Sequence, residues 1–229
     1  MKASLRGRHA VAVSVDCLVF GYDEGQLRVL LIERRKPPFE GRWAIPGGFV
    51  EDRETLHQAA VRELAEETGI RKVFLEELQV FDAVDRDPRG RVLSVAFLAL
   101  VKPSGLKLVA ASDAVRAAWF LLDEVPELAF DHRAILDAGL QRLRADLLRR
   151  PIGLELLPRK FTLGQLQRLY EVILNRAFDV SNFRKKILGL GMLQPTDDYE
   201  TDVAHRAARL YTFDLASYRS LMANGFRTF

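Results

Sequence analysis

A chain of 229 residues that is 48% hydrophobic and 28% charged has the composition of an ordinary globular protein, with room for one large or two modest domains. Its most apolar early run, residues 10–20, is short and contains Asp16, so the sequence predicts neither a membrane-spanning helix nor a signal peptide, and we expect a cytoplasmic protein. Cys17 is the only cysteine, which excludes an intrachain disulfide and a cysteine-based zinc cluster.

The N-terminal region has the pattern of a β-hairpin. Apolar residues alternate over residues 9–20, which puts the valines and Cys17 on one face of a strand. A turn at residues 21–25 separates this strand from a second β-rich run at residues 27–33. Residues 34–42 are polar and contain two prolines and a glycine, so we expect a surface loop there.

Residues 47–70 contain the clearest helix signal. Thr55 and Gln58 have the spacing of a capping box, and Gly69 suits the left-handed conformation that ends many helices. The sequence therefore predicts a helix over residues 56–68.

Three glutamates, Glu63, Glu66 and Glu67, share one face of this predicted helix. Like charges at this spacing repel by about 0.2–0.5 kcal/mol per pair, and these lie near the negative end of the helix dipole. A positive charge is therefore expected beside them. An arbitrary acidic cluster is more often a solvated face, so the cluster alone does not establish a site.

Further strands and one helix are predicted after the acidic helix. Residues 73–85 and 91–101 are apolar runs on either side of a turn at residues 86–90, and they predict a second hairpin. Residues 117–122 predict another strand, and residues 131–148 have the apolar spacing of an amphipathic helix.

The C-terminal region differs in pattern and in charge. A proline and a glycine within residues 149–153 mark a domain boundary. Up to Arg150 the chain has 23 basic and 23 acidic residues, and beyond it 11 basic and 8 acidic residues, so the net charge of +3 comes from the C-terminal part. The excess is concentrated between Arg159 and Pro195, which suggests a polyanionic partner.

The same region has the order of elements of a helix-turn-helix with a wing. Residues 162–174 have helical apolar spacing, and a second helix is predicted from a cap at Ser181 to about Leu190. Residues 194–202 and 209–213 predict a two-stranded wing.

Two resemblances cover nearly the whole chain. The spacing Gly48-x5-Glu54-x7-Arg62-Glu63-Leu64-x-Glu66-Glu67-x-Gly69-Ile70 resembles the signature box of the Nudix hydrolases at every fixed position. Residues 161–167 and 181–186 resemble the winged-helix domain of a Nudix subgroup that includes ADP-ribose pyrophosphatase relatives and NrtR-type repressors of NAD metabolism genes. The resemblances imply an α/β fold: a Nudix α/β/α sandwich with a mixed sheet in residues 1–150, followed by a small winged helix in residues 151–229.

The resemblance to the Nudix box also implies roles for its residues. Glu63, Glu66, Glu67 and the carbonyl of Gly47 would hold a metal ion or activate water, and an all-oxygen site favours Mg²⁺ or Mn²⁺. Supporting positions are implied for the Glu54–Arg62 ion pair and for Gly48. Alternatively, Glu54 and Arg62 form an ordinary ion pair without a role in the site.

Substrate contacts are predicted less specifically, from loop residues that should open near the site. Arginine suits phosphate and an aromatic ring can stack on a base, although each such residue is more often solvated or part of the core. The candidates are Arg34, Arg35, Phe39, Arg86 and Arg91, with Arg89 and Trp43 behind them. Asp113 and Glu124 are candidates for a separate catalytic base, and His57 is expected to be a surface residue.

The sequence is compatible with three functions. The intact box favours an enzyme that hydrolyses a nucleoside diphosphate-linked substrate, with ADP-ribose favoured and AMP and ribose 5-phosphate as products. The winged helix favours a regulator, a homodimer that senses ADP-ribose and binds duplex DNA through Asn182, Arg184, Lys185 and Lys186. A bifunctional protein remains open, as does a C-terminal domain that serves only in dimerisation or packing.

Overall fold

The computed structural model describes residues 11–104, 106–109, 114–149, 156–201 and 206–224. Within them, a seven-stranded sheet forms the centre of the N-terminal domain. Its strands are β1 (Ala12–Asp23), β2 (Gln26–Arg34), β3 (Trp43–Ala44), β4 (Gly47–Phe49), β5 (Glu76–Phe81), β6 (Val92–Val101) and β7 (Ala114–Leu121).

The sheet is mixed, because β1 runs parallel to β6 while the other pairs are antiparallel. The strand order is β3-β2-β1-β6-β5, with β4 paired to β1 and β7 paired to β2. Residues 20–23 of β1 pair with β2, whereas residues 14–16 pair with β4. The first strand therefore brings Asp16 opposite Gly47.

Helices cover both faces of the sheet. Helix α1 (Leu56–Thr68) packs Ala59, Ala60 and Leu64 against β1 on one face. Helix α2 (His132–Arg149) lies on the other face, where Gly139 approaches so closely that an added Cβ would collide with Leu18. This arrangement confirms the predicted α/β/α sandwich with a mixed sheet.

The first strand is more deeply buried than its alternating sequence suggests. Val15, Cys17 and Val19 pack towards α1, and Leu18 and Phe20 pack on the opposite side. The predicted strand at residues 9–20 is observed as Ala12–Asp23, and its residues 15–20 are buried on both faces because helices cover both. Val11 and Val13 are exposed, so the predicted apolar face is buried only from Val15 onwards. The two faces of the strand contribute to two separate core clusters.

The C-terminal domain contains α3 (Leu163–Leu174), α4 (Val180–Gly189), β8 (Leu193–Tyr199), β9 (Arg209–Phe213) and α5 (Leu215–Asn224). Strands β8 and β9 pair antiparallel and form the predicted wing. The predicted cap at Ser181 is wrong, because the side chain of Asp179 caps α4 by accepting a hydrogen bond from Asn182 N at 2.9 Å. The helix-turn-helix with a wing is confirmed.

The two domains share one hydrophobic core. Leu27 of β2 and Leu143 of α2 belong to the same buried cluster as Leu166, Leu169 and Tyr170 of α3. The predicted boundary at residues 149–153 lies, apart from Arg149, outside the described residues. The winged helix is thus packed directly against the Nudix-like sheet and its last helix.

Other element limits differ from the sequence predictions. The strand predicted over residues 73–85 is confined to β5, and the strand predicted over residues 117–122 begins earlier, at Ala114. The acidic helix has the predicted limits, 56–68. No helix within the described residues is long and apolar enough to cross a lipid bilayer.

Candidate functional site

The acidic helix is held at both ends by local hydrogen bonds. Thr55 Oγ1 accepts from Gln58 N at 3.2 Å, and Gln58 Oε1 accepts from Thr55 N at 2.8 Å. Gly69 ends the helix with a φ of 81°, a conformation that a side chain would strain. These caps set the helix limits and thereby which side chains project towards the loop that carries Gly47 and Gly48.

Arg62 is the centre of the charged cluster on α1. It donates to both carboxylate oxygens of Glu54, to Glu63 Oε1 at 2.7 Å and to the carbonyl oxygen of Phe49 at 3.1 Å. Its Nη1 also lies 3.6 Å from Glu66 Oε2. The guanidinium of Arg62 thus places a positive charge beside Glu54, Glu63 and Glu66.

The charges of this cluster alter one another's protonation. Hydrogen bonds from Arg62 lower the pKa of Glu54, and Glu54 in turn raises the pKa of Arg62. Burial raises the pKa of Glu63. Arg62 lowers this pKa, and the negative charges of Glu66 and Glu54 raise it further. Glu63 therefore gives up its proton less readily than an ordinary exposed glutamate.

Gly48 lies directly against Glu63. A Cβ at position 48 would collide with the carboxylate of Glu63. The absence of a side chain at this position therefore determines how closely the loop approaches the acidic helix.

Glu67 ties the same helix to the preceding glycine. Its side chain is almost fully buried, and Oε2 accepts a hydrogen bond from Gly47 N at 2.8 Å. A Cβ at Gly47 would meet the backbone of β1, because Gly47 pairs with Asp16. The structure thus brings Gly47, Gly48, Glu63 and Glu67 together.

A buried polar network lies beneath the loop. Asp16 Oδ2 accepts from Ser94 Oγ at 2.5 Å and from Arg86 Nη2 at 3.3 Å. Arg86 also donates to both carboxylate oxygens of Asp131. Sequence reasoning assigned no role to Asp16, Ser94 or Asp131, and it treated Arg86 as a loop residue that binds substrate.

His132 completes this network and fixes the loop backbone. Its Nδ1 accepts from Ile45 N at 2.9 Å, so the ring proton lies on Nε2, which is 3.3 Å from Asp16 Oδ1. Burial lowers the pKa of His132, against the opposing effect of Asp16. The buried ring is therefore held neutral. One of its nitrogens binds the backbone of Ile45, two residues before Gly47, and the other faces the carboxylate of Asp16.

A narrow cavity of about 50 Å³ opens above this network. Its lining residues are Ser14, Asp16, Ile32, Arg34, Ile45, Gly47, Gly48, Phe49, Arg86, Asp87, Arg89, Phe130 and His132. The sequence-predicted substrate residues Arg34 and Arg86 are among them. Phe49, Asp87 and Phe130 had no assigned role, and no local sequence signal distinguishes them.

The other predicted substrate residues are not brought to the cavity. Arg35 Nη2 donates to the carbonyl of Ala114, and Arg91 Nη1 donates to the carbonyls of residues 82 and 83. Phe39 packs edge-on against Phe130 at a centroid distance of 4.9 Å. These contacts fix loops around the site.

The remaining candidates also lie away from the cavity. Trp43 packs edge-on against Phe120, which agrees with a core role. His57 is exposed on α1, as expected. Glu124 is exposed just after β7, and Asp113 lies outside the described residues.

The donor atoms fit a hard divalent cation by their chemistry. Glu63, Glu66, Glu67 and the Gly47 carbonyl offer only oxygen, which suits magnesium or manganese. The carboxylate of Glu63 can lie against the loop because Gly48 has no side chain. Among the described residues, no three acidic, histidine or cysteine side chains are already arranged as a metal site. The metal-binding roles of these residues stay a prediction.

The predicted DNA-binding residues share the outer face of α4. Asn182, Arg184, Lys185 and Lys186 are exposed, while Phe183 and Ile187 are fully buried. Phe183 packs edge-on against Tyr170 of α3 at a centroid distance of 5.5 Å. The helix is therefore fixed by its apolar side and presents its basic side outward.

Two family models match the chain, the NUDIX domain over residues 11–139 and the NrtR DNA-binding winged helix domain over residues 153–213. A Nudix domain joined to a winged helix is thus the class of protein that the fold and the site define. The chain belongs to the Nudix family, in the group that carries the NrtR winged-helix domain. Nudix domains generally use divalent metal ions.

Two relatives show the range of function around this chain. An ADPR responsive transcriptional repressor, NtrR, from Acinetobacter baylyi is 34% identical over 210 residues, which cover 90% of this chain and 83% of the relative. An ADP-ribose pyrophosphatase from Methanocaldococcus jannaschii is 45% identical over 125 residues, covering 55% of this chain and 70% of the relative.

Three solved structures of Shewanella oneidensis NrtR resemble this chain, two of them over nearly its whole length. The protein alone matches with a TM-score of 0.77 and 30% identity, over 95% of this chain and 99% of that one. Its complex with a 27mer DNA matches with a TM-score of 0.74 and the same identity and coverage. Its NUDIX domain complexed with ADP ribose matches with a TM-score of 0.58 and 32% identity, over 62% of this chain and 94% of that one.

Proposed function

We propose that this protein is a transcriptional regulator that binds duplex DNA through its winged helix and changes its DNA affinity when ADP-ribose binds the Nudix domain. The observation that carries the proposal is the exposed basic face of α4. Arg184 and Lys185 lie in the middle of α4 and Lys186 in its last turn, all exposed on a helix whose buried side is held by Phe183 and Ile187. This is the position from which a recognition helix contacts bases and phosphates in the major groove.

The shared core offers a physical connection between ligand and DNA. Asp16 and Tyr22 lie on the same strand, one at the cavity and the other in the core that contains α3. Burial raises the pKa of Tyr22 to about 12; of two charged residues on α3, Arg168 lowers this pKa and Glu171 raises it, both less than burial does. A ligand that moves β1 would therefore act directly on the packing of the winged helix.

The relatives support the same proposal. The Acinetobacter repressor covers both domains, and the Shewanella protein has been solved with DNA and, as its NUDIX domain, with ADP ribose. One winged helix makes few DNA contacts, so we propose a homodimer on a pseudo-palindromic site.

DNA-binding titrations test this function. The DNA is the upstream region of the protein's own gene and a set of genomic fragments, and binding is measured at low salt. ADP-ribose is then added to preformed complexes of the Glu67→Gln variant, which is expected not to hydrolyse the ligand. Typical coupling free energies predict a shift of about 5- to 150-fold in DNA affinity. A protein that binds none of these fragments is not a DNA-binding regulator.

A second candidate function is metal-dependent hydrolysis of ADP-ribose to AMP and ribose 5-phosphate. It is favoured by the intact box, in which Gly48 leaves space for Glu63 and Arg62 joins Glu54 to Glu63. Glu63, Glu66 and Glu67, with the Gly47 carbonyl, would hold the cation. A bound cation neutralises pyrophosphate and lowers the pKa of bound water.

Turnover measurements separate the two functions. ADP-ribose, NADH, sugar nucleotides and oxidised nucleotides are incubated with Mg²⁺ or Mn²⁺, and release of AMP is measured. Glu67→Gln keeps the size of the side chain and removes a charge, so turnover should fall at least about a hundredfold, as for loss of one strong electrostatic stabiliser. Glu77→Gln, an exposed change on β5, is the control. Unchanged turnover in folded Glu67→Gln would remove this glutamate from the reaction.

A further inference from the structure

Two phenylalanines at the cavity are held in place without being buried in the core. Phe49 ends β4 opposite Ser14, with 41% of its surface exposed. Phe130 has a φ of 52°, a left-handed conformation that strains a bulky side chain. Its ring is held by the Phe39 edge and by the His132 ring, 5.3 Å away. This backbone conformation and these ring contacts fix the Phe130 ring at the edge of the cavity.

Arg89 contacts both of these rings. Its Cζ lies 4.8 Å from the Phe49 centroid and 5.6 Å from the Phe130 centroid, within the range of cation–π interactions. Asp87, which is buried, accepts from Arg89 Nε and Nη2 and from its backbone N. A flat, delocalised cation is thus placed against two aromatic rings by a carboxylate of its own loop.

The cavity must open before it can enclose a nucleotide. Its volume of about 50 Å³ is well below the roughly 300–1,000 Å³ of typical small-molecule sites. Arg86 cannot move easily, because its side chain is 4% exposed and bound to Asp16 and Asp131. The side chain of Arg89 is 46% exposed. Arg34, the third lining arginine, lies over the Phe130 ring at 4.7 Å, and its Nε donates to the carbonyl of Pro38 at 2.9 Å. Arg89 contacts both rings, so its movement would open the space between them.

We propose that Phe49 and Phe130 form an aromatic slot for the base of a nucleotide ligand, and that Arg89 fills this slot until the base displaces it. The inference rests on the proposed function, since it names the part of ADP-ribose that the site recognises. A planar base offers the same flat, polarisable surface as the guanidinium that it replaces, whereas a sugar phosphate does not. Displacement would also release the loop that joins β5 and β6.

Calorimetric titration of the full-length protein with AMP and with ribose 5-phosphate tests the slot, because the two probes differ only in the base. The parent should bind AMP more tightly than ribose 5-phosphate. Phe49→Leu and Phe130→Leu should each weaken AMP binding about 5- to 150-fold, the range expected for loss of one base–aromatic stack, and leave ribose 5-phosphate binding unchanged. Phe74→Leu, at an exposed phenylalanine outside the cavity, should change neither affinity.

Arg89→Ala tests the displacement step. Without the guanidinium, the base no longer has to break the cation–π contacts of Arg89 before it binds, so AMP affinity should rise about two- to fivefold. A loss of affinity for both probes would show that Arg89 binds phosphate and would overturn its role as occupant of the slot. Melting temperatures identify any variant that misfolds, and Phe49→Leu is decisive alone because its ring is exposed.

The slot and the proposed function can fail separately. Equal affinity of the parent for AMP and ribose 5-phosphate, or Phe49→Leu that discriminates as the parent does, overturns the slot. ADP-ribose that leaves DNA affinity unchanged, in a protein that binds AMP through these rings, overturns ligand sensing and leaves the slot intact.

Discussion

Arg62 and Glu54 form a two-point ion pair, with Nε 3.0 Å from Oε2 and Nη2 2.5 Å from Oε1. The pair joins the loop that follows β4 to the middle of α1. Both side chains are mostly buried, at 24% and 13% exposure. Charge pairs of this kind are costly to break from one side, because the remaining charge stays desolvated.

Arg62→Ala is therefore expected to reduce both stability and any hydrolytic activity. Loss of hydrogen bonds to Glu54 and Glu63 should lower the free energy of unfolding by about 1–3 kcal/mol. Arg133→Ala, which breaks an exposed ion pair with Asp137, should cost at most about 1 kcal/mol. Chemical denaturation and ADP-ribose turnover are measured for both variants. An inactive Arg62→Ala that is as stable as the parent would assign Arg62 to substrate binding.

Gly48→Ala is expected to disturb the site through sterics. The added Cβ would collide with the carboxylate of Glu63, so either the loop or the glutamate must move. The carboxylate ends a flexible side chain, so the free energy of unfolding should fall by less than the roughly 1–3 kcal/mol of core overpacking. Ligand binding or turnover should fall because Glu63 is displaced. Gly164→Ala in α3, where the new methyl group makes only ordinary contact, is the matched control. Parent-like stability and ADP-ribose affinity in Gly48→Ala would contradict the close approach.

The acidic helix could be predicted to the residue because its signals are local. Thr55, Gln58 and Gly69 lie within one turn of its ends, and each makes the expected hydrogen bond or backbone turn. The predicted start of α4 is two residues late because Asp179 and Ser181 are both good capping residues, and the sequence alone does not say which of them is the N-cap. Local chemistry determined the element in both cases, but only the first pattern was unambiguous.

The network under the cavity could not be predicted in the same way. Asp16, Arg86 and His132 are far apart in sequence and meet only because β1, the β5–β6 loop and the start of α2 converge. An aspartate within an apolar strand predicts a buried hydrogen-bond or charge partner, because an unpaired buried carboxylate is costly. The sequence contained that signal, but it could not identify the partner.

The buried His132 gives stability a specific pH dependence. Burial lowers its pKa in the folded protein below the ordinary value of 6.5. Below pH 6.5 the unfolded chain therefore binds a proton that the folded chain does not, and stability falls as pH decreases towards the folded pKa. The slope from one such group is at most about 1.4 kcal/mol per pH unit.

His132→Asn tests this dependence, because the asparagine side chain can still accept from Ile45 N. Denaturation is followed between pH 7.5 and about 5, the interval in which an ordinary histidine titrates. The variant should lose less stability over this interval than the parent, although it is less stable at pH 7.5. His57→Asn, the same change at the exposed histidine of α1, is measured as the control. Identical slopes in the parent and His132→Asn would show that His132 does not cause the acid sensitivity.

The basic face of α4 predicts the salt dependence of DNA binding. Each phosphate contact releases condensed counterions, so losing one reduces the slope of log K against log salt by about 0.9. A triple change of Arg184, Lys185 and Lys186 to Ala should reduce the slope by up to about 2.7 if all three contact phosphate. Because these side chains are exposed while Phe183 and Ile187 hold the helix, the protein should remain folded.

A matched triple change separates this effect from the general loss of positive charge. Arg71, Lys72 and Arg133 are exposed on the Nudix domain, and their replacement by Ala removes the same net charge. Long-range attraction is screened beyond about 8 Å at physiological salt, so this variant should weaken binding slightly and keep most of the parent's slope. Affinity is measured at four or more salt concentrations with one DNA duplex. Equal slopes for the two triple variants would place the DNA contacts elsewhere than on α4. A reduced slope only in the α4 variant would identify α4 as the helix that lies against the phosphates.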